Sequence, residues 1–475
     1  MLENSSLKHQ LISWAGIIIL TLLTIRLISL GLYPLYDTTE ARYGEMARLM
    51  FETQNWVTPQ FDYNVPFWGK PPFQTWISAA SFSLFGVNEF FARLPHFLCG
   101  LITCLIMFRF VRFLSDKNTA IFSLLVLSSS LGFIIAIGMV MTDSALLMAY
   151  TLAMTSFWLC LVNQNKHLNG HLFFAALALG MMIKGPVSVV LIVIALVIWS
   201  LWQKCFLSAL KSLPWKTGLP LLLMLTLPWY IWAEIRTPGF LEYFIVGEHI
   251  QRFLVSGWDG DLYGTAHVKP RGMIWGYWVL CAFPWSFWVL KLLINQFTKK
   301  GETRKPSSQL SVNKYLICWM VSPLLLFTLA GNILPIYVLP GFSAMAIIIA
   351  LNSELTKRVN IAAIGTLALV SLVIALFSLG ITGKSNESEI LASEMEHIKV
   401  SELYYWKKRP FSAQFYSAGK AKLLNSELKL QGLIERKQNF YMVLNHEKDI
   451  EVTLYLEQSC ELKKQVKNRS LYFCP

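Results

Sequence analysis

Residues 11–46 read LISWAGIIILTLLTIRLISLGLYPLYDTTEARYGEM. The run 11–31 carries a single charge, Arg26. An apolar run of about 18 or more residues reads as a transmembrane helix. Directly after it, Asp37, Glu40, Arg42, Glu45 and Arg48 crowd into twelve positions. Tyr43, Met46, Ala47 and Met50 recur at helical spacing through the charges, so the segment reads as an amphipathic helix at a membrane face.

The same alternation continues along the chain. Its 475 residues are 55% hydrophobic and only 15% charged, with a mean hydropathy of +0.49. Soluble domains carry nearer a quarter charged residues. Spans are expected near 11–31, 94–113, 119–140, 144–162, 171–183, 187–202, 217–233, 273–292, 315–331, 335–351 and 359–380. Residues 73–92 read as an interfacial helix or another span, giving 11 to 13 in all. The first apolar run lacks a small-residue cleavage site and ends in Tyr33-Pro34, so it reads as a retained span, not a signal peptide.

Loop charge sets the expected orientation. Arg109, Arg112 and Lys117 mark one loop, and Lys204, Lys211 and Lys216 a second. Lys299, Lys300, Arg304 and Lys305 mark a third, and Lys357 and Arg358 a fourth. These loops read as cytoplasmic, so the net charge of +13 is partly topology, not a nucleic-acid footprint. Loops 32–93, 141–144, 184–186 and 234–272 then face outward, as does the tail from about 382. The division expected is a membrane domain over 1–381 and an extracytoplasmic α/β domain over 382–475. In the tail, NFYMVLNHE and EVTLYLEQ read as strands, and FSAQFYSAGKAKLL as a helix or helix-turn. Cys460 and Cys474 end strand-like patterns, and a bridge between them is expected in an oxidising compartment. The other six cysteines read as small apolar residues of the spans.

Ionisable residues near membrane depth are functional candidates, and they gather on the expected outer face. Asp143 is the only charge between Lys117 and Lys166, and Lys184 separates two apolar stretches. Lys70 stands in VPFWGKPPFQTW, and Glu248, His249 and Arg252 share helical spacing in YFIVGEHIQRF. Each has an ordinary structural reading. Asp37 with Glu40 would form a capping box, and Asp143 would cap the next helix. Lys184 would snorkel to the interface, and the others would be exposed loop or helix charges. Five stretches in the outer loops with the same habit argue for one shared site instead.

Such a face suits transfer chemistry. A carboxylate can take a proton from an attacking hydroxyl. Lys and Arg can hold a phosphate and stabilise it as a leaving group. Outside the cytoplasm a membrane-borne phosphate ester replaces a nucleotide sugar, which points to glycosyl transfer from a polyprenyl-phosphate sugar. A transporter or flippase of a lipid-linked sugar or other anionic substrate is the alternative, although the chain lacks paired broken helices in two matching halves.

The motifs TEARYGEMARLM, FWGKPPFQTWISAASFSLFGVNEFFARLP, MTDSALL, MIKGP, EHIQRF, GNILPIYVLP and RPFSAQFYSAGKA occur in that order along nearly the whole chain. In them the sequence resembles the GT-C class of polyprenyl-phosphate-sugar glycosyltransferases. That group includes the lipid A aminoarabinose transferases (ArnT) and is related to the protein O-mannosyltransferases. The resemblance implies a polytopic GT-C fold in the inner membrane with its site on the periplasmic side. It implies a polyprenyl-phosphate sugar donor, and lipid A, a glycan or a protein as acceptor. It implies Asp37, Glu40 and Asp143 as catalytic acids, with either Asp37 or Glu40 as the principal one. The family has adjacent Asp-Glu where this chain has Thr39-Glu40. Lys70, Arg252, Lys184 and Tyr337 are implied to bind the donor phosphate, with Arg42, Tyr43, Glu248 and His249 supporting. Aminoarabinose transferases often place Glu, implicated in metal binding, before the lysine; here it is Gly69. A divalent metal is therefore disfavoured, and no other cofactor is implied.

Overall fold

The computed structural model describes residues 2–264, 267–298, 307–381, 387–398, 401–436 and 439–475. Lys299, Lys300, Arg304 and Lys305 lie outside them, as does the composition change at 383–386. All eleven apolar segments expected as spans are helical. Helix Thr142–Leu161 is the centre of the bundle, with 83% of its apolar window buried, whereas Lys357–Ser378 on the periphery has 17%. Apolar side chains on that outer helix, such as Ile361 and Leu372, stay exposed, as a hydrocarbon surround allows.

Among the described residues six helices are long and apolar enough to cross a membrane alone. A bent pair, Met273–Cys281 and Trp285–Ile294, makes a seventh if counted as one. The chain is a multi-pass membrane protein, and among the described residues further apolar helices are shorter or broken. The expected span 119–140 breaks at Ser129-Ser130 into Lys117–Ser128 and Leu131–Ala136. The expected span 273–292 turns by 112° next to Pro284, which cannot supply a helical N–H. Pro186–Trp202 and Val312–Thr328 are apolar but short. Phe73–Phe85, at 13 residues, reaches only about 20 Å at 1.5 Å per residue and is not a span.

Three segments expected to face outward assemble together. The first carries helix Thr39–Thr53 and a two-stranded ribbon, Gln60–Asp62 against Val65–Pro66. The second carries a π-helix, Tyr243–Gln251, running into Arg252–Leu254; such wide turns recur at functional sites. The third is the tail. Its five strands are ordered Ala421–Leu424, Glu402–Trp406, Phe440–Asn445, Arg469–Cys474, Glu461–Val466. The first three pair in parallel and the last two join antiparallel. The strand expected at NFYMVLNHE is present. EVTLYLEQ is instead part of helix Ile450–Ser459. Val452 and Leu456, four apart, are buried, while Leu454 is 55% exposed, so the apolar period is helical. Cys460 therefore follows a helix, not a strand, and it is bonded to Cys474.

Candidate active site

The segment after the first span is held by two carboxylates that tie it to distant parts of the chain. Glu40 accepts Arg93 Nε at 2.8 Å and Nη2 at 2.9 Å, and also the Val140 N–H at 3.2 Å. Arg93 spends its remaining N–H groups on the Leu30, Tyr33 and Pro34 carbonyls, at 2.6 to 2.9 Å. Both side chains are almost fully buried. Asp37 accepts the Phe411 N–H at 2.9 Å and the Ser412 N–H at 3.3 Å, together with the Ser412 hydroxyl. It thereby caps tail helix Phe411–Tyr416, not the helix that follows it in sequence. Helix Thr39–Thr53 has Thr38 as N-cap and no side-chain cap, so the expected capping box is absent. Burial raises the Asp37 carboxyl, against the lowering effect of its Ser412 and Phe411 contacts. Asp37 and Glu40 are thus not in the lining of the cavity described next, although the adjacent Thr38 and Thr39 and Asp37's partner Phe411 are; both carboxylates tie segments distant in sequence.

The other predicted residues converge. A cavity of about 470 Å³ is lined by Arg42, Tyr43, Lys70, Asp143, Lys184, Glu248, Arg252 and Tyr337, with Thr38 and Thr39 at its edge. Asp143, in the first turn of its helix, makes no cap; it accepts Lys184 Nζ at 2.7 Å. Lys184 ends its helix and is buried, so it does not snorkel. Its Nζ lies 4.3 Å from the centre of the Tyr337 ring. Glu248 takes Lys70 Nζ at 3.1 Å and Arg252 Nη1 at 2.9 Å, the latter on both oxygens. Arg252 Nη2 also stands 3.4 Å from Asp261 Oδ2. Six charged groups from four segments, Lys70, Asp143, Lys184, Glu248, Arg252 and Asp261, thus line one wall.

Burial would raise the Glu248 carboxyl, but Lys70 and Arg252 outweigh it and hold it below the usual range. Burial would lower Arg252, but Glu248, Tyr337 and Asp261 raise it. His249 is lowered, first by burial; its Nδ1 lies 2.7 Å from the Phe244 carbonyl and its Nε2 3.2 Å from that of Lys184. It therefore ties the π-helix to the end of the Lys184 helix.

On the far side of the wall lies a second cavity, about 380 Å³. It shares Lys70, Lys184, Glu248, Arg252 and Tyr337 with the first, and His249 joins them. The rest of its lining is mainly apolar, including Val187, Val190, Ile245, Phe253 and Phe327. Glycine at 69 follows from the wall's geometry. A Cβ there would fall 2.8 Å from Phe67 Cζ and 3.3 Å from Glu248 Oε1. Glu248 thus puts its carboxylate beside Lys70, in space a side chain at 69 would need. Two cations already neutralise it, and among the described residues no three His, Cys, Asp or Glu side chains group as metal ligands do. These residues do not fit a divalent metal.

Asp261, Tyr263, His267 and Phe411 also line the first cavity and were missed. Asp261 stands in SGWDGDLYG, an outer-loop run whose charges meet the rule that singled out Lys70. Phe411 belongs to the tail, and nothing in its sequence neighbourhood points to the membrane domain. Tyr263 pins its turn: its hydroxyl donates to the Pro66 carbonyl at 2.9 Å and accepts the Trp68 N–H at 3.1 Å, and Arg42 donates to its carbonyl at 2.6 Å.

Residues 12–244 match the family of dolichyl-phosphate-mannose-protein mannosyltransferases. The chain is 32% identical over 332 residues to an undecaprenyl phosphate-α-4-amino-4-deoxy-L-arabinose arabinosyl transferase of Erwinia tasmaniensis. The match covers 68% of this chain and 56% of that protein, so the chain spans little more than half the length of this curated relative. A crystal structure of ArnT from Cupriavidus metallidurans, bound to undecaprenyl phosphate, superposes with a TM-score of 0.80 at 16% identity, covering 97% of this chain and 98% of that one. The archaeal oligosaccharyltransferase AglB from Archaeoglobus fulgidus, in complex with an inhibitory peptide and a dolichol-phosphate, gives 0.51 at 10% identity, covering 92% and 70%. The fold is that of these membrane proteins.

Proposed function

We propose, for a chain with the GT-C fold and related to the polyprenyl-phosphate-sugar glycosyltransferases, that it moves a sugar from a polyprenyl phosphate to an extracytoplasmic acceptor. The acceptor is lipid A or another envelope glycan, and transfer proceeds with inversion. The observation that carries this reading is the wall of Lys70, Lys184, Glu248, Arg252 and Tyr337 shared by a polar and an apolar cavity. A lipid phosphate needs cations for its headgroup and a greasy groove for its chain. Lys70 and Arg252 bind the phosphate through charge-assisted contacts. The polyprenyl chain runs past Val187, Ile245 and Phe327, and the sugar enters the polar cavity. Lys184, held by Asp143, supports the charge that develops on the leaving phosphate. The site opens on the periplasmic side of the inner membrane, with residues 382–475 in the same compartment.

Mass spectrometry of lipid A and envelope glycans from a deletion strain tests this. Loss of one sugar substituent, restored by the wild-type gene and not by Lys70→Ala, is the expected result. An unchanged set of envelope glycans contradicts it.

A further inference from the structure

We propose that Asp261 is the base that takes the acceptor's proton, a role that rests on the glycosyl-transfer reading above. Three carboxylates line the polar cavity: Asp143, Glu248 and Asp261. Glu248 has both oxygens engaged by cations. Asp143 Oδ1 is held by Lys184 at 2.7 Å, and its Oδ2 faces the Thr142 hydroxyl at 3.5 Å. Asp261 differs. Its Oδ1 accepts the Tyr263 N–H at 3.0 Å, so the backbone aims the side chain. Its Oδ2 is buried and, among the described residues, is the one buried carboxylate oxygen without a hydrogen-bond partner.

A buried lone pair left open is costly in a resting protein and is what a base requires. The turn that carries it is fixed. The Leu262 N–H donates to the Tyr243 hydroxyl at 3.1 Å, and Tyr263 is bonded to Pro66, Trp68 and Arg42. The neighbouring Arg252 Nη2 stands 3.4 Å from Oδ2 without a hydrogen bond. A phosphate drawn to Arg252 competes for that guanidinium and leaves the carboxylate free for the acceptor. In the step, the acceptor oxygen bonds to the anomeric carbon as that carbon's bond to the phosphate oxygen breaks. The electron pair leaves with the polyprenyl phosphate, and the acceptor's proton passes to Asp261 Oδ2.

The test uses the full chain in lipid nanodiscs, polyprenyl-phosphate sugars extracted from bacterial membranes, and lipid A. Release of undecaprenyl phosphate is read by mass spectrometry, and binding of undecaprenyl phosphate is measured alongside. Asp261→Asn is expected to lower kcat by about 10²-fold or more, to bind undecaprenyl phosphate no more weakly than wild type, and to lose the acid limb of the pH profile. Formate is expected to restore part of the activity of Asp261→Ala. Wild-type turnover in Asp261→Asn overturns the assignment. So does a loss that follows undecaprenyl-phosphate affinity, which would make Asp261 a positioning residue for Arg252. So does a loss that leaves the pH profile unchanged and is not rescued by formate. A wild-type chain that binds undecaprenyl phosphate but releases none from the sugars removes the glycosyl-transfer reading itself.

Discussion

Two sets of acidic residues lie in the segments flanking the apolar helices, and they differ in what surrounds their oxygens. Asp37 and Glu40 accept every donor their geometry admits: backbone N–H groups, a hydroxyl and a buried guanidinium. Glu248, Asp143 and Asp261 meet cations across a cavity wall and keep part of their surface toward open space. The first set joins segments of the fold, because its charge is spent inside the protein. The second set and its cations border a cavity, where a ligand can reach them. Sequence position alone ranks them the other way, since Asp37 and Glu40 sit in the densest charged run of the chain.

The sharpest contrast comes from Arg93→Ala. Removing one member of a buried pair leaves the other uncompensated, a loss of about 3–5 kcal/mol. Thermal unfolding in detergent is expected to show that loss, while undecaprenyl-phosphate affinity per folded molecule stays near wild type. A selective loss of affinity would move Glu40 into the second set. Reduction of the Cys460–Cys474 bond, which closes a loop with a sequence separation of 14, is expected to cost up to about 3 kcal/mol in the chain-entropy model. Non-reducing peptide mapping and a comparison of unfolding with and without reductant check this, and ligand affinity should not follow.

Lys70→Ala is the reverse case. Losing a charge-assisted contact worth about 1.5–3 kcal/mol should weaken undecaprenyl-phosphate binding by about 10- to 150-fold with little change in unfolding temperature. Asp37→Asn is expected to cost about 0.5–2 kcal/mol through the lost cap, read as earlier loosening of the tail by hydrogen exchange, with turnover per folded molecule near wild type. A collapse of turnover in that variant at unchanged stability would break the division between the two sets.

The smallest effect is electrostatic. The Glu248 carboxyl lies below its ordinary value because Lys70 and Arg252 outweigh its burial. A carboxyl depressed on folding contributes stability above its unfolded pKa and loses it as pH falls through the folded one. In Lys70→Ala the folded value moves up, so acid should destabilise that variant at a higher pH than wild type. Infrared titration of the Glu248 carboxylate, assigned with Glu248→Gln, reads the shift directly.

The membrane fold was legible because apolar run length is a strong signal, and every expected segment is a helix. Where helices break, at Ser129-Ser130 and beside Pro284, hydropathy alone did not mark the break. Lys70, Asp143, Lys184 and Arg252 were legible as candidates because charge near membrane depth demands a reason. The partners were not: Glu40 with Arg93 lies 53 residues apart in sequence and Asp37 with Phe411 374, and no local pattern announces such contacts. EVTLYLEQ misled because alternation over a few residues also satisfies part of a helical period.

In the proposed function one cationic wall serves a lipid phosphate from its apolar side and a sugar from its polar side. A cryo-electron-microscopy structure of the full chain in nanodiscs with undecaprenyl phosphate tests it most directly. The account predicts phosphate density against Lys70 and Arg252 and chain density along Val187, Ile245 and Phe327. Phosphate bound away from that wall, or a passage running through the bundle to the opposite face, would contradict it.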